Sequence, residues 1–317
     1  TRSGNGIVTI TAIAGVPPAP TSISGVTSIC EGSTTSYSIP TVPGATGYTW
    51  TVPSGATINS GQGTTTINVT VGSTSGNVTV TADNGCGSSP ATTFSVTVMA
   101  NPTVIANTTA NSICDGNQVT LTGGGASTYT WTGIVSDGVP FTPTTTDTYT
   151  VTGTAANGCT NTASITVTVN SLPTVTANST ASAICAGDSV TLNGNGASTY
   201  IWTSSVTNNI AFAPIATNTY TVTGTDANGC SGTNTITVTV NSLPIVALGS
   251  DIVQCAGNVV LDAGNSGSTF LWSTAATTQT ISTSSSGTYN VQIVDINGCS
   301  VADTIMITIR ASIHFRI

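Results

Sequence analysis

Eight cysteines are the residues whose type and spacing point most directly to chemistry. They form four successive pairs along the chain, and the two cysteines of the last three pairs are 45, 45 and 44 residues apart. An even number of regularly spaced cysteines predicts disulfide bonds, and hence an oxidising compartment. We expect each disulfide to close within its own repeat, in the pairs Cys30–Cys86, Cys114–Cys159, Cys185–Cys230 and Cys255–Cys299.

Metal binding is the alternative chemistry for these residues. The cysteine pairs contain no Cys-x-x-Cys element and no His lies near them, so zinc is not expected. Asp-x-Asn-Gly turns, with Asp226 and Asp295, and the shorter turn at Asp83 could offer oxygen atoms to Ca²⁺. The matching turn of the second repeat has Ala155 and Ala156, and turn chemistry alone explains Asp and Asn there. We therefore predict no cofactor, with Ca²⁺ kept as an alternative.

The sequence offers no group that could act as an oriented catalytic base. Its single His, His314, lies in the terminal tail, and Glu31 is its only Glu. A nucleophilic triad and a pair of catalytic carboxylates both need partners that these positions do not supply. The sequence predicts that the protein has no catalytic residues and is not an enzyme.

The charge inventory excludes two classes of partner. The chain has no Lys, three Arg and a net charge of -8, and only 4% of its residues are charged. Nucleic-acid binding needs a basic surface, and an anionic membrane surface would repel this chain. No apolar run approaches the ~18 residues of a transmembrane helix, so membrane insertion is not expected either.

An internal repeat defines the elements that carry the cysteines. A Trp follows the first cysteine of each pair by 20, 17, 17 and 17 residues, and a Tyr precedes the second cysteine by ten residues in the last three repeats. Residues at a fixed place in an alternating strand are typical of a core, whereas exposed Trp side chains could stack on sugars. We expect these aromatic side chains to fill the cores: Trp50, Trp131, Trp202, Trp272, Tyr149, Tyr220 and Tyr289.

Each repeat has the pattern of β-strands. Apolar and hydroxyl residues alternate, as in 189–193 and 218–222, and Asn-Gly turns recur at 84–85, 157–158, 228–229 and 297–298. About seven strands in ~70 residues indicate an all-β chain of tandem immunoglobulin-like sandwiches in an extended rod. The expected segments are a terminal strand (1–17), four sandwiches (18–99, 100–170, 171–241 and 242–310) and a tail strand (311–317).

The two ends of the sequence each show an amphipathic strand without partners. The apolar residues are Ile7, Val8 and Ile10 at one end and Ile313, Phe315 and Ile317 at the other. One interpretation is that the chain was cut from a longer multidomain protein. The other is that these strands complete a sheet in a neighbouring copy, which would build a filament by strand addition.

Particular motifs resemble a known group of proteins. Segment 28–32 (Ser-Ile-Cys-Glu-Gly), with 48–55 and 61–64, resembles the PKD-like domains of Bacteroidota surface proteins. Segments 184–187 (Ile-Cys-Ala-Gly), 200–202 and 225–230 resemble the Ig-like or PKD-type repeats of the same proteins. This resemblance implies an exported adhesin or filament, commonly secreted by the type IX system, and a family without catalytic residues.

Two functions remain open from the sequence. The first is a structural protein of the extracellular space or cell surface, a stalk or filament subunit that assembles with copies of itself end to end or by strand addition. The second is a binding module for polysaccharide or another cell surface, with its affinity in loops at one pole.

Overall fold

The computed structural model describes residues 15–311. The terminal strand-addition candidates Ile7, Val8, Ile10, Ile313, Phe315 and Ile317, and also His314, lie outside the described residues. The chain divides between Val169 and Asn170 into two compact units, and each unit contains two β-sandwiches. Within residues 15–311, no helix is long and apolar enough to cross a membrane.

Unit 1 begins with sandwich 1, in which a sheet of order β1-β8-β6-β3, with β7 paired to β6, faces a sheet of order β2-β5-β4. Its strands are β1 (Ser28–Cys30), β2 (Thr34–Ser38), β3 (Gly47–Thr51), β4 (Thr57–Ser60), β5 (Thr66–Thr70), β6 (Gly76–Asn84), β7 (Gly87–Ser88) and β8 (Thr92–Met99).

Sandwich 2 completes unit 1 with the sheets β10-β15-β14-β12 and β13-β11-β9. Its strands are β9 (Ile105–Thr108), β10 (Ser112–Cys114), β11 (Val119–Gly124), β12 (Thr128–Trp131), β13 (Pro140–Phe141), β14 (Asp147–Thr154) and β15 (Thr160–Asn170).

Unit 2 begins with sandwich 3, which has the same plan, with sheets β17-β22-β21-β19 and β16-β18-β20 and a 3₁₀ turn at Thr203–Ser205. Its strands are β16 (Thr176–Ser179), β17 (Ala183–Cys185), β18 (Val190–Asn195), β19 (Thr199–Trp202), β20 (Ala211–Phe212), β21 (Asn218–Thr225) and β22 (Ser231–Asn241).

Sandwich 4 has the sheets β23-β28-β27-β25 and β24-β26. Its strands are β23 (Ile252–Cys255), β24 (Val259–Asp262), β25 (Thr269–Trp272), β26 (Thr280–Thr283), β27 (Gly287–Val294) and β28 (Ser300–Arg310). The predicted all-β architecture of tandem sandwiches is confirmed, whereas the predicted segment boundaries stay predictions.

Alternation of side chains explains why these segments form strands. In β21, Tyr220 and Val222 are buried while Thr219 and Thr221 lie on the wetter face. Thr suits that face because its β-branch favours the extended backbone and its hydroxyl group forms hydrogen bonds. The Thr219 hydroxyl pairs with that of Thr237 on the neighbouring strand at 2.8 Å. One face of the sheet therefore packs in the core while the other presents rows of hydroxyl groups.

A short edge strand fixes the place of the first cysteine in sandwiches 1, 3 and 4. It pairs in parallel with the last strand of the sandwich, and its final residue is the cysteine. Cys30 lies beside Met99, Cys185 beside Asn241, and Cys255 beside Arg310. The first cysteine thus lies at the end of the sandwich where the chain leaves the last strand.

The second cysteine lies at the opposite end of the sandwich. Cys230 and Cys299 directly precede β22 and β28, which are 11 residues long each. At about 3.4 Å per residue, such a strand separates the two ends of the sandwich by roughly 35 Å. The two cysteines of one sandwich are therefore held far apart by the strand that runs between them.

Candidate functional site

Disulfides join successive sandwiches within each unit. In unit 1, Cys30 of sandwich 1 is bonded to Cys159 of sandwich 2, with their Cα atoms 5.6 Å apart. In unit 2, Cys185 of sandwich 3 is bonded to Cys299 of sandwich 4, with a Cα separation of 5.5 Å. We call the first site joint A and the second joint B. Each joint pairs the first cysteine of one sandwich with the turn cysteine of the next.

The prediction that every disulfide closes within its own repeat is wrong. Cys30 is bonded to Cys159, which rules out Cys30–Cys86 and Cys114–Cys159. Cys185 is bonded to Cys299, which rules out Cys185–Cys230 and Cys255–Cys299. The physical reason is the length of the last strand, because a disulfide spans less than about 7 Å between Cα atoms and the strand separates the two ends by several times that distance.

At joint A, side-chain amides tie the linker to the turn of sandwich 2. Asn157 donates from Nδ2 to the carbonyl oxygen of Ala100 at 3.2 Å, and its Oδ1 accepts the N–H of Cys159 at 3.0 Å. Asn101 donates from Nδ2 to the carbonyl oxygen of Glu31, beside Cys30. These contacts hold both ends of the disulfide against the same short linker, so the joint is fixed by polar contacts as well as by the covalent bond.

At joint B, an aspartate builds the turn that presents the cysteine. Oδ1 of Asp295 accepts the backbone N–H groups of Asn297 at 2.9 Å and of Cys299 at 2.8 Å. Gly298 adopts a φ of 82°, a left-handed conformation that glycine takes without a steric penalty. The Asp-x-Asn-Gly sequence is thus a rigid turn that places Cys299 directly before β28.

Burial protects the sulfur atoms of the turn cysteines. Cys159 and Cys299 are 1% and 0% exposed, while Cys30 and Cys185 are half-buried. Thiol–disulfide exchange requires a thiolate to reach a sulfur atom, so a covered disulfide reacts slowly with soluble thiols. Cys255, the first cysteine of sandwich 4, is an exposed free thiol, and Cys86 is also exposed.

The turn carboxylates that could bind Ca²⁺ form hydrogen bonds within the protein. Oδ1 of Asp226 accepts the N–H groups of Asn228 and Cys230, in the same arrangement as in the turn of Asp295. Hydrogen bonds from Ser88, Thr49 and Thr81 hold the pKa of Asp83 below its usual value of 3.8. Residues 15–311 contain no group of three or more His, Cys, Asp or Glu side chains that could hold a metal ion.

The four Trp side chains lie in the four hydrophobic cores, one in each sandwich: Trp50, Trp131, Trp202 and Trp272. Tyr220 and Tyr289 are buried in the cores of sandwiches 3 and 4, and Tyr149 packs against the core of sandwich 2. A buried Trp exposes no ring face for stacking on a sugar.

Two polar partners of these Trp side chains were not expected from the sequence. The indole N–H of Trp131 donates to Asp137 at 2.8 Å, and that of Trp202 donates to Asn208 at 2.9 Å. Both acceptors lie six residues after the Trp, so the repeat itself carried the signal. Each loop after the Trp strand is therefore anchored to the core through one hydrogen bond.

Two equivalent surface hollows lie beside aromatic pairs. In sandwich 2, the rings of Phe141 and Tyr149 meet edge to face with centroids 5.3 Å apart, next to the fully exposed Ile134. In sandwich 3, Phe212 and Tyr220 form the same pair at 5.4 Å beside a second hollow. At both hollows, apolar side chains meet solvent next to polar ones.

Comparison with known proteins supports the fold. A model of the PKD-like domain family matches residues 16–96, which cover sandwich 1 as far as β8. No curated protein matches the sequence.

The solved structures that match the chain share little sequence with it. One is a Ca²⁺-stabilised adhesin that helps an Antarctic bacterium reach out and bind ice, 20% identical, covering 95% of this chain and 100% of that chain, with a TM-score of 0.32. Another is the insect immune protein hemolin, 12% identical over 93% of this chain and 100% of its own, with a TM-score of 0.26. A third is the D1–D4 ectodomain fragment of ICAM-5, 10% identical over 90% of this chain and 98% of its own, with a TM-score of 0.36. At these identities and TM-scores, the likenesses carry no argument about this chain.

Proposed function

We propose that this chain is part of a structural protein of the extracellular space or cell surface, a stalk or filament subunit that carries load in adhesion or attachment. The single observation that carries the proposal is the pair of disulfides at joints A and B, which bond Cys30 and Cys185 to the next sandwich. Disulfides persist in oxidising compartments, which favours an extracellular place for the protein.

The joints shield the sandwiches from tension. When the chain is pulled along its length, the shortest covalent path from residue 30 to residue 159 runs through the disulfide and bypasses a sequence separation of 129. Joint B bypasses a further separation of 114 in the same way. The strands inside such a loop are not unravelled by a longitudinal force, so the oxidised chain lengthens less under load than the reduced chain.

The surface suits a scaffold that must stay soluble. The chain has few charges, and rows of hydroxyl groups cover the wet faces of its sheets, as in the pairs Thr148–Thr166 and Thr219–Thr237. A surface with few ionic groups changes little with salt or pH, because screening and titration act on charges. Catalysis is not part of the proposed function.

The type of organism and the export route extend this proposal. The motif at 28–32 resembles those of Bacteroidota surface proteins, and the matched PKD-like segment agrees with that resemblance. We therefore extend the proposal to a bacterial surface protein exported by the type IX system, assembling with copies of itself.

Intact cells that make the protein provide the test. They would be treated with a thiol-alkylating reagent that does not cross membranes and then with a protease, and the chain would be followed by non-reducing immunoblot and electron microscopy. We expect the chain to be cleaved on intact cells, to be disulfide-bonded and to lie in elongated surface structures. Protection of the chain inside cells, with its cysteines reduced, would contradict the proposal.

A carbohydrate-binding or surface-binding adhesin module is the second candidate. The repeated hollows beside Phe141–Tyr149 and Phe212–Tyr220 favour it, since ligand sites combine aromatic walls with a few polar groups. A glycan array probed with the full chain separates the two functions. Specific binding that is lost in Phe141→Ala and Phe212→Ala variants would support the module, and no binding to any glycan would count against it.

A further inference from the structure

Cys255 ends its edge strand in the same way as Cys30 and Cys185, the first cysteines of joints A and B. It ends the edge strand of sandwich 4 beside Arg310, as Cys30 ends its strand beside Met99. The following N–H donates to the carbonyl oxygen of the paired residue in each case, from Ala256 to Arg310 at 3.1 Å and from Glu31 to Met99 at 3.0 Å. The strand pairing that places a first cysteine at the end of its sandwich is therefore repeated in sandwich 4, while the turn that follows differs in that Ala256 has a φ of 48°.

The chemical state of Cys255 differs from that of its equivalents. Cys30 and Cys185 are half-buried in disulfides, whereas Cys255 is an exposed free thiol. A shallow hollow beside it is lined by Ala256, Gly257, Asn258, Ile309, Arg310 and Ala311. Ala311, which follows Arg310, is the counterpart of Ala100, which follows Met99. At joint A, the carbonyl oxygen of Ala100 accepts a hydrogen bond from the turn asparagine of sandwich 2.

We propose that Cys255 forms a third joint of the same kind, a disulfide to the Asn-Gly-Cys turn of a further β-sandwich domain that docks after sandwich 4. The partner is defined by its chemistry: a buried-turn cysteine preceded by Asn and Gly, with the Asn amide reaching the carbonyl of Ala311. Such a domain comes either from the same polypeptide or from a second chain. The joint makes sandwich 4 a link in a covalently continuous array.

Bond formation is an oxidation that a disulfide compound can supply. The thiolate of Cys255 attacks oxidised glutathione, which forms a mixed disulfide and releases one glutathione thiolate. The thiolate of the turn cysteine then attacks the Cys255 sulfur, forms the protein disulfide and releases the second glutathione. The two protein thiols lose two protons and two electrons, and one oxidised glutathione becomes two reduced molecules.

A chain extended by one domain tests the proposal directly. Residues 242–310 are added a second time after residue 311, so that the added copy presents its own Asn-Gly-Cys turn, and the protein is oxidised in a glutathione buffer. We expect alkylation of Cys255 by iodoacetamide to fall about tenfold or more, because a tethered thiol acts at an effective concentration in the millimolar range. Peptide mapping should then show Cys255 bonded to the turn cysteine of the added copy.

The matched control carries Cys299→Ser in the added copy only, and there Cys255 should be recovered alkylated or as its mixed disulfide with glutathione, with no bond to a protein cysteine. A second extended chain, with residues 171–241 as the added copy, guards against misfolding of the first. Recovery of Cys255 as the alkylated or glutathionylated residue in both extended chains, while Cys30–Cys159 forms, would overturn the proposal.

Protein from its natural source gives an independent reading and separates the two sources of the partner. It is alkylated before denaturation and mapped without reduction. Cys255 bonded to an Asn-Gly-Cys peptide supports the joint. If the partner domain belongs to the same polypeptide, the protein keeps its monomer mass on a non-reducing gel; if it belongs to a second chain, the protein runs as a multimer. Cys255 recovered as a thiol, or bonded to a cysteine in another sequence context, would contradict it.

Discussion

Reducing the disulfides should lengthen the fully stretched chain by the number of residues that the disulfides enclose. Joints A and B bridge sequence separations of 129 and 114, 243 in all, and the two loops do not overlap in sequence. At about 3.5 Å per extended residue, their release adds roughly 850 Å to the contour length. The full chain would be held by its two ends in a force spectrometer and unfolded before and after treatment with a phosphine reductant.

The same experiment discriminates between the two possible patterns of disulfides. Bonds closed within each repeat would bridge sequence separations of 56, 45, 45 and 44, 190 in all, and reduction would then add only about 650 Å. A gain near that smaller value would refute the joints, and no gain would show that the chain contains no disulfides. A reduced and alkylated sample should show the longer contour from the first pull.

Three further predictions concern stability and pH. Cys159→Ser should lower the free energy of unfolding by about 5 kcal/mol, the value of the chain-entropy model for a sequence separation of 129. The control Cys255→Ser should change it by less than about 0.5 kcal/mol. Denaturant titrations measure both. Equal stability of the two variants would argue against joint A. Asp137→Ala should lower the free energy of unfolding by about 1–3 kcal/mol, because it leaves the buried indole N–H of Trp131 without an acceptor. Asp137→Asn should retain most of the wild-type stability. An Ala variant as stable as wild type would contradict the hydrogen bond. The pKa of Asp83 in the folded protein lies below its usual 3.8, because hydrogen bonds favour the charged carboxylate. The contribution of Asp83 to stability is therefore present above pH 3.8 and is lost as the pH falls through the pKa of the folded state. An NMR titration of the Asp83 carboxyl group checks this, and a midpoint at or above 3.8 would show the sign to be wrong.

Alternation in the sequence carries most of the information about the fold. Strands such as β21 alternate Thr with buried Tyr220 and Val222, and a period of two has one structural solution when one face must be buried. The Trp of each repeat lies at a fixed place in such a strand, so its position in the core follows from the same pattern. Local physics therefore makes the sandwiches predictable from the sequence.

The connectivity of the cysteines could not be obtained in this way. In a repeating chain, bonds within a repeat and bonds to the next repeat use the same kinds of cysteine, and eight cysteines allow many pairings. The choice depends on a long-range fact, the parallel pairing of the edge strand with the last strand, which places Cys255 beside Arg310 and far from Cys299. No local pattern around either cysteine reports that register.

The most direct test of the disulfide joints is peptide mapping without reduction after cleavage before each Asp. Lys-directed cleavage is not possible because the chain has no Lys. Cleavage before each Asp places Cys30 in peptide 1–82, Cys159 and Cys185 in 147–187, Cys255 in 251–261 and Cys299 in 295–302. Thiols are alkylated first so that no exchange occurs during digestion. Joints A and B predict peptides 1–82 and 295–302 both linked to 147–187, with 251–261 recovered alkylated. Recovery of 251–261 linked to 295–302 would contradict the joints and restore bonds closed within single sandwiches.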